Sequence, residues 1–272
     1  MKTASPSRFN SLLLASLAMC SSALAVGPTS TLYIMNYGEF AGGNEVGLDR
    51  VQGAGEAGST TGNNLDICPA VWGDVRTMGY ADTNSGSRFD LVGSPLVGGP
   101  YTNNIPNSQL HDGTTDGTYN YSVNYTTGDV LQFDRNWANP TVLFNPLGPN
   151  TTGYITMNVA DGSFWLSQFG GSDLVEHRTH AGALISSFNS GVFNEVGLAL
   201  DPVDGTLWMS VFDGGHTLYQ FSQGGAFLQT QSFNLNGTWY GMEFNTNVTP
   251  EPATMSALLL GIAAIAKRKK AG

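Results

Sequence analysis

Residues Val196–Phe233 read VGLALDPVDGTLWMSVFDGGHTLYQFSQGGAFLQTQSF, and Tyr154–Phe188 read YITMNVADGSFWLSQFGGSDLVEHRTHAGALISSF. The second Asp-Gly, Asp204-Gly205, stands 43 residues after the first, Asp161-Gly162. A fainter copy, TDGTYNYSVNYTTGDVLQFDRNWANPTVLF, spans Thr115–Phe144 and places Asp116-Gly117 45 residues before Asp161. Each copy has one grammar. An apolar strand (Ile155 to Val159; Val196 to Leu200) runs to an Asp-Gly, expected as a two-residue hairpin turn because Gly accepts positive φ cheaply. A strand rich in aromatic and aliphatic residues follows (Tyr119 to Tyr121; Phe164 to Leu166; Leu207 to Met209). After a Gly-rich turn comes an alternating strand (Val130 to Phe133; Leu174 to His177; Leu218 to Phe221). A short strand closes the unit at Phe144, Phe188 or Phe233.

Four antiparallel strands in 40-odd residues form the blade of a β-propeller. A β-sandwich with coincidental spacing is the competing fold. The Asp-Gly-Ser/Thr repeat at one register favours the propeller, and the fold class is read as all-β. Closure is also legible. Trp239 to Phe244 has the pattern of a first strand with no chain left to complete its blade, and Thr31 to Tyr37 resembles a second strand lacking its first. Pairing them gives one composite blade and removes exposed edges. Residues 50 to 112 break the register, so five blades are expected, with six as the alternative. Asn44-Glu45-Val46-Gly47-Leu48 recurs as Asn194-Glu195-Val196-Gly197-Leu198; if both were innermost strands, the N-terminal segment would be an outer strand.

The Asp-Gly-x-Leu/Trp pattern resembles the NHL and gluconolactonase-like propellers over Asp112 to Phe244. In lactonase-like members of that group, Glu, Asn and Asp on loops entering the innermost strands hold an axial divalent metal. The matching positions are Asn194-Glu195 and Asn44-Glu45. Tyr240 and Gly153-Tyr154 stand at the other equivalent places and are not typical ligands, so no four-ligand oxygen cage is visible.

Both ends of the chain differ from its middle. Lys2 and Arg8, an apolar run from Leu12 to Met19, and Ala23-Leu24-Ala25 make a secretory signal peptide over residues 1–25, with cleavage by signal peptidase after Ala25. Cys20 offers a lipoprotein alternative, disfavoured by Met19 before it. Residues 249–272 read TPEPATMSALLLGIAAIAKRKKAG. Ala253 to Ala266 makes an apolar helix of roughly 21 Å at about 1.5 Å per residue. That is short of a hydrocarbon core of about 30 Å, with Lys267, Arg268, Lys269 and Lys270 as a cytoplasmic stop.

Pro250-Glu251-Pro252, a short transmembrane helix and a basic tail, in that order, resemble the PEP-CTERM sorting signal, also catalogued as the ice-binding-protein C-terminal domain. Thr249 replaces the commoner Val. The resemblance implies an inner-membrane precursor in a Gram-negative bacterium that makes exopolysaccharide. An exosortase would remove the tail and release the mature protein to the cell envelope or extracellular matrix. It does not imply ice binding.

Between these segments, the propeller domain at residues 26–248 keeps five arginines, no lysine and twenty acids. A net charge of −15 excludes nucleic acid, whose binding needs cations, and could attract calcium. Cys68 alone survives cleavage, so no internal disulfide forms, and without a lysine or a near histidine it reads as an inert buried thiol.

Catalytic signatures are sparse. There is no Gly-x-Ser-x-Gly, Walker loop or Cys-x-x-Cys. His177 and His180 form H-x-x-H, but on a strand end rather than a helix, so His177 is expected to face solvent. Asp82-Thr83-Asn84-Ser85-Gly86 is half a calcium loop or a Gly-Ser turn. The Asn-x-Ser/Thr sequons read as turns.

Three functions remain. The leading one is a non-enzymatic surface or matrix protein that binds polysaccharide, with Trp137 and Trp239 as stacking residues because they stand in loops or strand starts. The others are a metal-dependent lactonase or lyase centred on Glu195, and an inert partner-docking platform. The tail gives the first prediction. Mass spectrometry of the C-terminus from the native host should find no residues beyond the Pro-Glu-Pro region, and Pro250-Glu251-Pro252→Ala-Ala-Ala should leave the precursor in the inner membrane. Retention of Lys267 to Lys270 beside an active exosortase would make the tail an ordinary anchor.

Overall fold

The computed structural model describes residues 27–37, 46–61, 67–79, 86–98, 109–170, 172–214, 216–235 and 237–247. Outside these lie the signal peptide with Ala23 and Ala25, the sorting signal, Asn44-Glu45, and Asp82 to Ser85. The described residues form nineteen strands and no helix. In chain order β1 (Leu32–Tyr37), β2 (Val46–Gln52) and β3 (Gly55–Thr61) belong to the first blade. The second is β4 (Cys68–Val71), β5 (Val75–Met78) and β6 (Arg88–Phe89). The third is β7 (Thr114–Thr115), β8 (Tyr119–Val123), β9 (Val130–Asp134) and β10 (Thr141–Phe144). The fourth is β11 (Gly153–Asn158), β12 (Ser163–Gln168), β13 (Leu174–Arg178) and β14 (Leu184–Asn189). The fifth is β15 (Glu195–Leu200), β16 (Leu207–Val211), β17 (Thr217–Phe221) and β18 (Phe227–Ser232). Finally β19 (Thr238–Phe244) returns to pair with β1, giving the order β19-β1-β2-β3.

Five sheets make a five-bladed propeller closed by that composite blade, with Leu32 opposite Phe244 and Tyr33 opposite Glu243. The six-blade alternative is therefore excluded. So is an innermost role for Val46-Gly47-Leu48: β2 is a third strand, between β1 and β3, whereas β15 is innermost. The Asn-Glu-Val-Gly-Leu recurrence falls at two inequivalent places because closure has already fixed β1 as a second strand.

Asp161-Gly162 and Asp204-Gly205 occupy equivalent β11–β12 and β15–β16 hairpins, but the turns differ from the two-residue expectation. Asn158 pairs with Ser163, so four residues form the loop. Gly162 stands last, at φ 75°, and its N–H reaches the Asn158 carbonyl at 2.8 Å. Gly205, at φ 70°, bonds the Asp201 carbonyl in the same way. The aspartate does as much as the glycine. Asp161 Oδ1 accepts the Ser163 N–H at 3.0 Å and hydroxyl at 2.6 Å, and Asp204 Oδ1 accepts both from Thr206 at 2.9 and 2.7 Å.

Period-2 alternation sends successive side chains to opposite neighbouring blades. Ile155, Met157, Phe164 and Leu166 pack on Tyr121 and Val123 of the third blade. Tyr154 and Trp165 pack on Leu198, Leu207 and Met209 of the fifth. Trp208 lies with Leu32, Ile34 and Phe244 of the first. Trp165 and Trp208 are both buried, at matching positions between sheets. Truncating a fully buried Trp of this kind to Ala costs about 3–5 kcal/mol.

On the axis, Asp112 precedes β7 and is fully buried. Its Oδ2 accepts the backbone N–H of Ile155 at 3.1 Å and of Leu198 at 3.2 Å. Its Oδ1 accepts those of Met242 at 2.9 Å and Gly113 at 3.0 Å. One carboxyl thus ties the innermost strands of four blades. Gly241 leaves it room: a Cβ there would stand 2.8 Å from both Asp112 Oδ1 and the His111 carbonyl, and closer still to the Ile67 carbonyl. The next layer repeats the device with hydroxyls. Thr114 Oγ1 accepts from Met157 N–H and Thr156 Oγ1 from Leu200 N–H, both at 3.1 Å, and Thr156 donates to the buried Glu243.

Asp112→Ala strands three inter-blade N–H groups, each costing about 1–3 kcal/mol when buried unpaired. At about 2–4 °C per kcal/mol for a domain of this size, Tm should fall by about 6 °C or more in thermal circular dichroism. Gly241→Ala should act in the same direction. A wild-type Tm for Asp112→Ala would remove the carboxyl from this role.

Candidate functional site

The connections between blades and the β12–β13 and β16–β17 turns gather at one end of the propeller, here the crossover end; the Asp-Gly hairpins lie at the other, the hairpin end. At the crossover end four aromatic rings form a row across three blades. Phe169, just after β12, meets Phe212, just after β16, edge to face at a centroid distance of 6.4 Å. Phe212 meets Tyr240 of β19 at 6.4 Å, and Tyr240 meets Tyr37 at the end of β1 at 6.4 Å. Phe169 is 42% exposed, Phe212 51% and nearby Phe193 53%, while both tyrosines are half-buried. Contiguous exposed apolar groups on a soluble domain mark binding surfaces.

Beside the row opens a cleft of 620 Å³ lined by Gln109, His111, Tyr125, Asn150, Thr152, Gln168 and Phe169. A smaller one of 220 Å³ holds Phe193, Asn194, Phe212 and Asp213. Their walls are amide, hydroxyl and aromatic groups, with the His111 imidazole in the larger and the Asp213 carboxyl in the smaller. Burial pushes His111 down from 6.5 to about 4, so its ring is neutral near pH 7. The row was missed in the sequence because its members sit at blade boundaries and share no motif. Their one signal was an aromatic directly after the second strand in two successive copies, Phe169 and Phe212.

The structure corrects the tryptophans. Trp137 is fully buried and Trp239 is 2% exposed, so neither ring is available to stack on a sugar. Trp137 occupies a β9–β10 turn position with φ 60° where the equivalent turns of the next two blades carry Gly182 and Gly225. In those blades the glycine receives Phe144 or Phe188 of the preceding blade. The second blade shows no fourth strand among the described residues, and Trp137 fills that space itself, packing on Phe133 and donating Nε1–H to the Arg76 carbonyl at 3.2 Å. Trp239 lies between β19 and the fifth blade, its Nε1–H on Asp49 Oδ2 at 2.7 Å.

His177 is likewise not simply solvent-facing. It stacks on Trp165 at 4.2 Å, 6° from parallel, with Nε2 2.7 Å from Ser163 Oγ. The Ser163 hydroxyl is directed to Asp161, so it is no activated nucleophile. In the fifth blade Gln220 Nε2 donates to Thr206 Oγ1 at 2.8 Å in the same place, which marks the contact as architectural. His180 lies apart, against Tyr121 and Phe164, so the two imidazoles do not converge.

Glu195 begins β15 at the crossover end and is fully buried. Oε1 accepts from Ser190 Oγ at 3.4 Å, and Oε2 has no hydrogen-bond partner among the described residues. No three His, Cys, Asp or Glu side chains converge as metal ligands among those residues. On the axis Asp112 accepts four N–H donors, whose positive ends would repel a cation. Burial drives Asp112 and Glu243 well above the ordinary carboxyl range, Asp112 against the opposing pull of its four N–H bonds.

No family model matches the chain, and no curated protein matches it. Solved structures match its shape. One is a chain of a nidogen/laminin complex, at 9% identity and TM-score 0.54, covering 81% of this chain and all of that one. Another, from Bacteroides thetaiotaomicron, is a structural genomics protein of unknown function, at 13% identity and TM-score 0.51, covering 81% of this chain and 70% of that one. Identities this low show the β-propeller fold alone.

Glu195 also generates a pH prediction. Burial pushes it up from 4.5 to about 8. Between those values the folded chain keeps a proton that the unfolded chain has released, so its stabilising contribution is lost as pH rises through 8. His111 acts in the other direction: below 6.5 the unfolded chain takes a proton that the folded one refuses until about 4. From these two groups, thermal stability should stay level between about pH 4.5 and 6.5, where their slopes cancel, and decline from there toward about pH 8. Glu195→Gln should raise Tm on the alkaline side by about 2–4 °C for each kcal/mol recovered. It should change little below the ordinary carboxyl range. Equal Tm shifts at both ends of the scan would contradict a buried ionisation.

Proposed function

We propose that this chain is an exported, non-catalytic propeller that binds polysaccharide in the bacterial envelope or matrix, delivered there by its tail. The row Phe169–Phe212–Tyr240–Tyr37 at the crossover end carries the reading. Sugar rings present C–H faces that stack on aromatic faces and hydroxyl edges that seek amide and hydroxyl partners, and the adjoining cleft supplies both kinds of group. Rigid strand ends hold the rings, so little ordering entropy is lost on binding. Signal peptidase and an exosortase are the processing partners in this proposal, with the inner membrane as a transient station.

The experiment is a glycan-binding assay on full-length protein and on variants of the row. Phe212→Ala and Tyr240→Ala should each weaken polysaccharide binding roughly ten-fold, the factor set by about 1.4 kcal/mol, with thermal melts used to confirm folding. Phe227→Ala, at an exposed position on the outer strand β18, should leave binding unchanged. Equal binding by all three variants would detach the activity from the aromatic row.

A further inference from the structure

Accepting the aromatic face as the glycan site, the distribution of charge narrows its ligand. All five arginines of the propeller domain lie toward the hairpin end. Arg76, Arg88 and Arg135 converge on Asp74 in the β4–β5 hairpin, at 3.0, 2.6 and 3.1 Å. Arg178 donates to the Gly182 carbonyl in the β13–β14 hairpin at 2.8 Å, and Arg50 pairs with Gly58 near the β2–β3 hairpin. The domain contains no lysine.

At the crossover end no arginine offsets the acids. Asp213 lines the smaller cleft beside Phe212. Asp173, in the β12–β13 turn, and Asp129, in the β8–β9 turn, stand at the same end, bonded to Asn189 and Asn145. No guanidinium or ammonium stands among the described residues of this end. Such a surface carries a negative potential that carboxylated or sulfated polymers must approach against. Carboxylates still accept hydroxyl hydrogen bonds from an uncharged sugar, and these are the stronger, charge-assisted kind.

We infer that the aromatic face binds an uncharged glycan chain, laid along the row from Phe169 to Tyr37 with its hydroxyls toward Asp213 and the amide-lined cleft, and rejects polyanionic glycans. Three ring spacings of 6.4 Å carry the row over three blades, a reach suited to several consecutive sugars rather than to one terminal residue.

The test compares full-length protein against one neutral β-glucan, one polyuronate and one sulfated glycan, at low and high salt. Expected are binding to the neutral polymer with little salt dependence, and binding to the two anionic polymers weaker by roughly ten-fold or more at low salt, where charges are least screened. Asp213→Asn should narrow that gap without loss of fold. Tighter binding to either anionic polymer, or neutral binding that collapses with salt, would overturn the inference and leave the glycan reading intact. No binding to any of the three would overturn the glycan reading itself.

Discussion

Four backbone N–H groups from four blades end on one buried carboxyl, that of Asp112. Radial sheets meet at an axis where innermost strands have neighbours in their own sheets but none across the centre. Their inward N–H groups would be buried without partners, at about 1–3 kcal/mol each. Asp112 supplies acceptors on both oxygens, and Thr114 and Thr156 repeat the service one layer on. Each donor is an N–H, so the carboxyl serves these four bonds as an acceptor on both oxygens. Small residues at Gly197 and Gly241 complete the arrangement, because the axis has room for one carboxyl and not for four other side chains.

The weakest blade shows what the others take for granted. β6 spans two residues, and the second sheet has three strands. Its boundary with the third blade is closed by substitutes: Trp137 in the place of a glycine, and three guanidiniums around Asp74 that also reach the Ala70, Val97 and Arg135 carbonyls. A left-handed Trp costs about 1–2 kcal/mol in backbone strain. Burying its ring offsets that, at about 25 cal/mol for each Å² of apolar area removed from water.

These substitutions explain what the sequence disclosed and what it hid. Asp161-Gly162 and Asp204-Gly205 were legible because a local rule, aspartate capping a turn whose last residue needs positive φ, recurs with fixed spacing. Closure was legible because Trp239 to Phe244 and Thr31 to Tyr37 are each half of a known pattern. Trp137 misled because a turn position implies exposure, and burial there depends on another blade that shows no fourth strand among the described residues. Asp112 was invisible as a structural hub for the same reason: its partners lie 43, 86 and 130 residues away. The aromatic row is a third case. Phe169, Phe212, Tyr240 and Tyr37 become neighbours only when blades four, five and one are set side by side.

The two ends of the propeller differ in what leaves from them. Thr29 and Ser30 bond Asp204 and Asp201 in the β15–β16 hairpin, and Thr246 bonds the Val71 carbonyl beside the β4–β5 hairpin. Both ends of the described body thus leave from the hairpin end, close together because Leu32 pairs with Phe244. The aromatic row lies at the opposite end, across the full length of the innermost strands. Closing the ring through a composite blade forces this separation. A first strand supplied by the C-terminal segment runs toward the hairpins, and the second strand supplied by the N-terminal segment starts from them. Any attachment through either end therefore meets the propeller on the face that carries its arginines, and leaves the aromatic face turned away from the point of attachment.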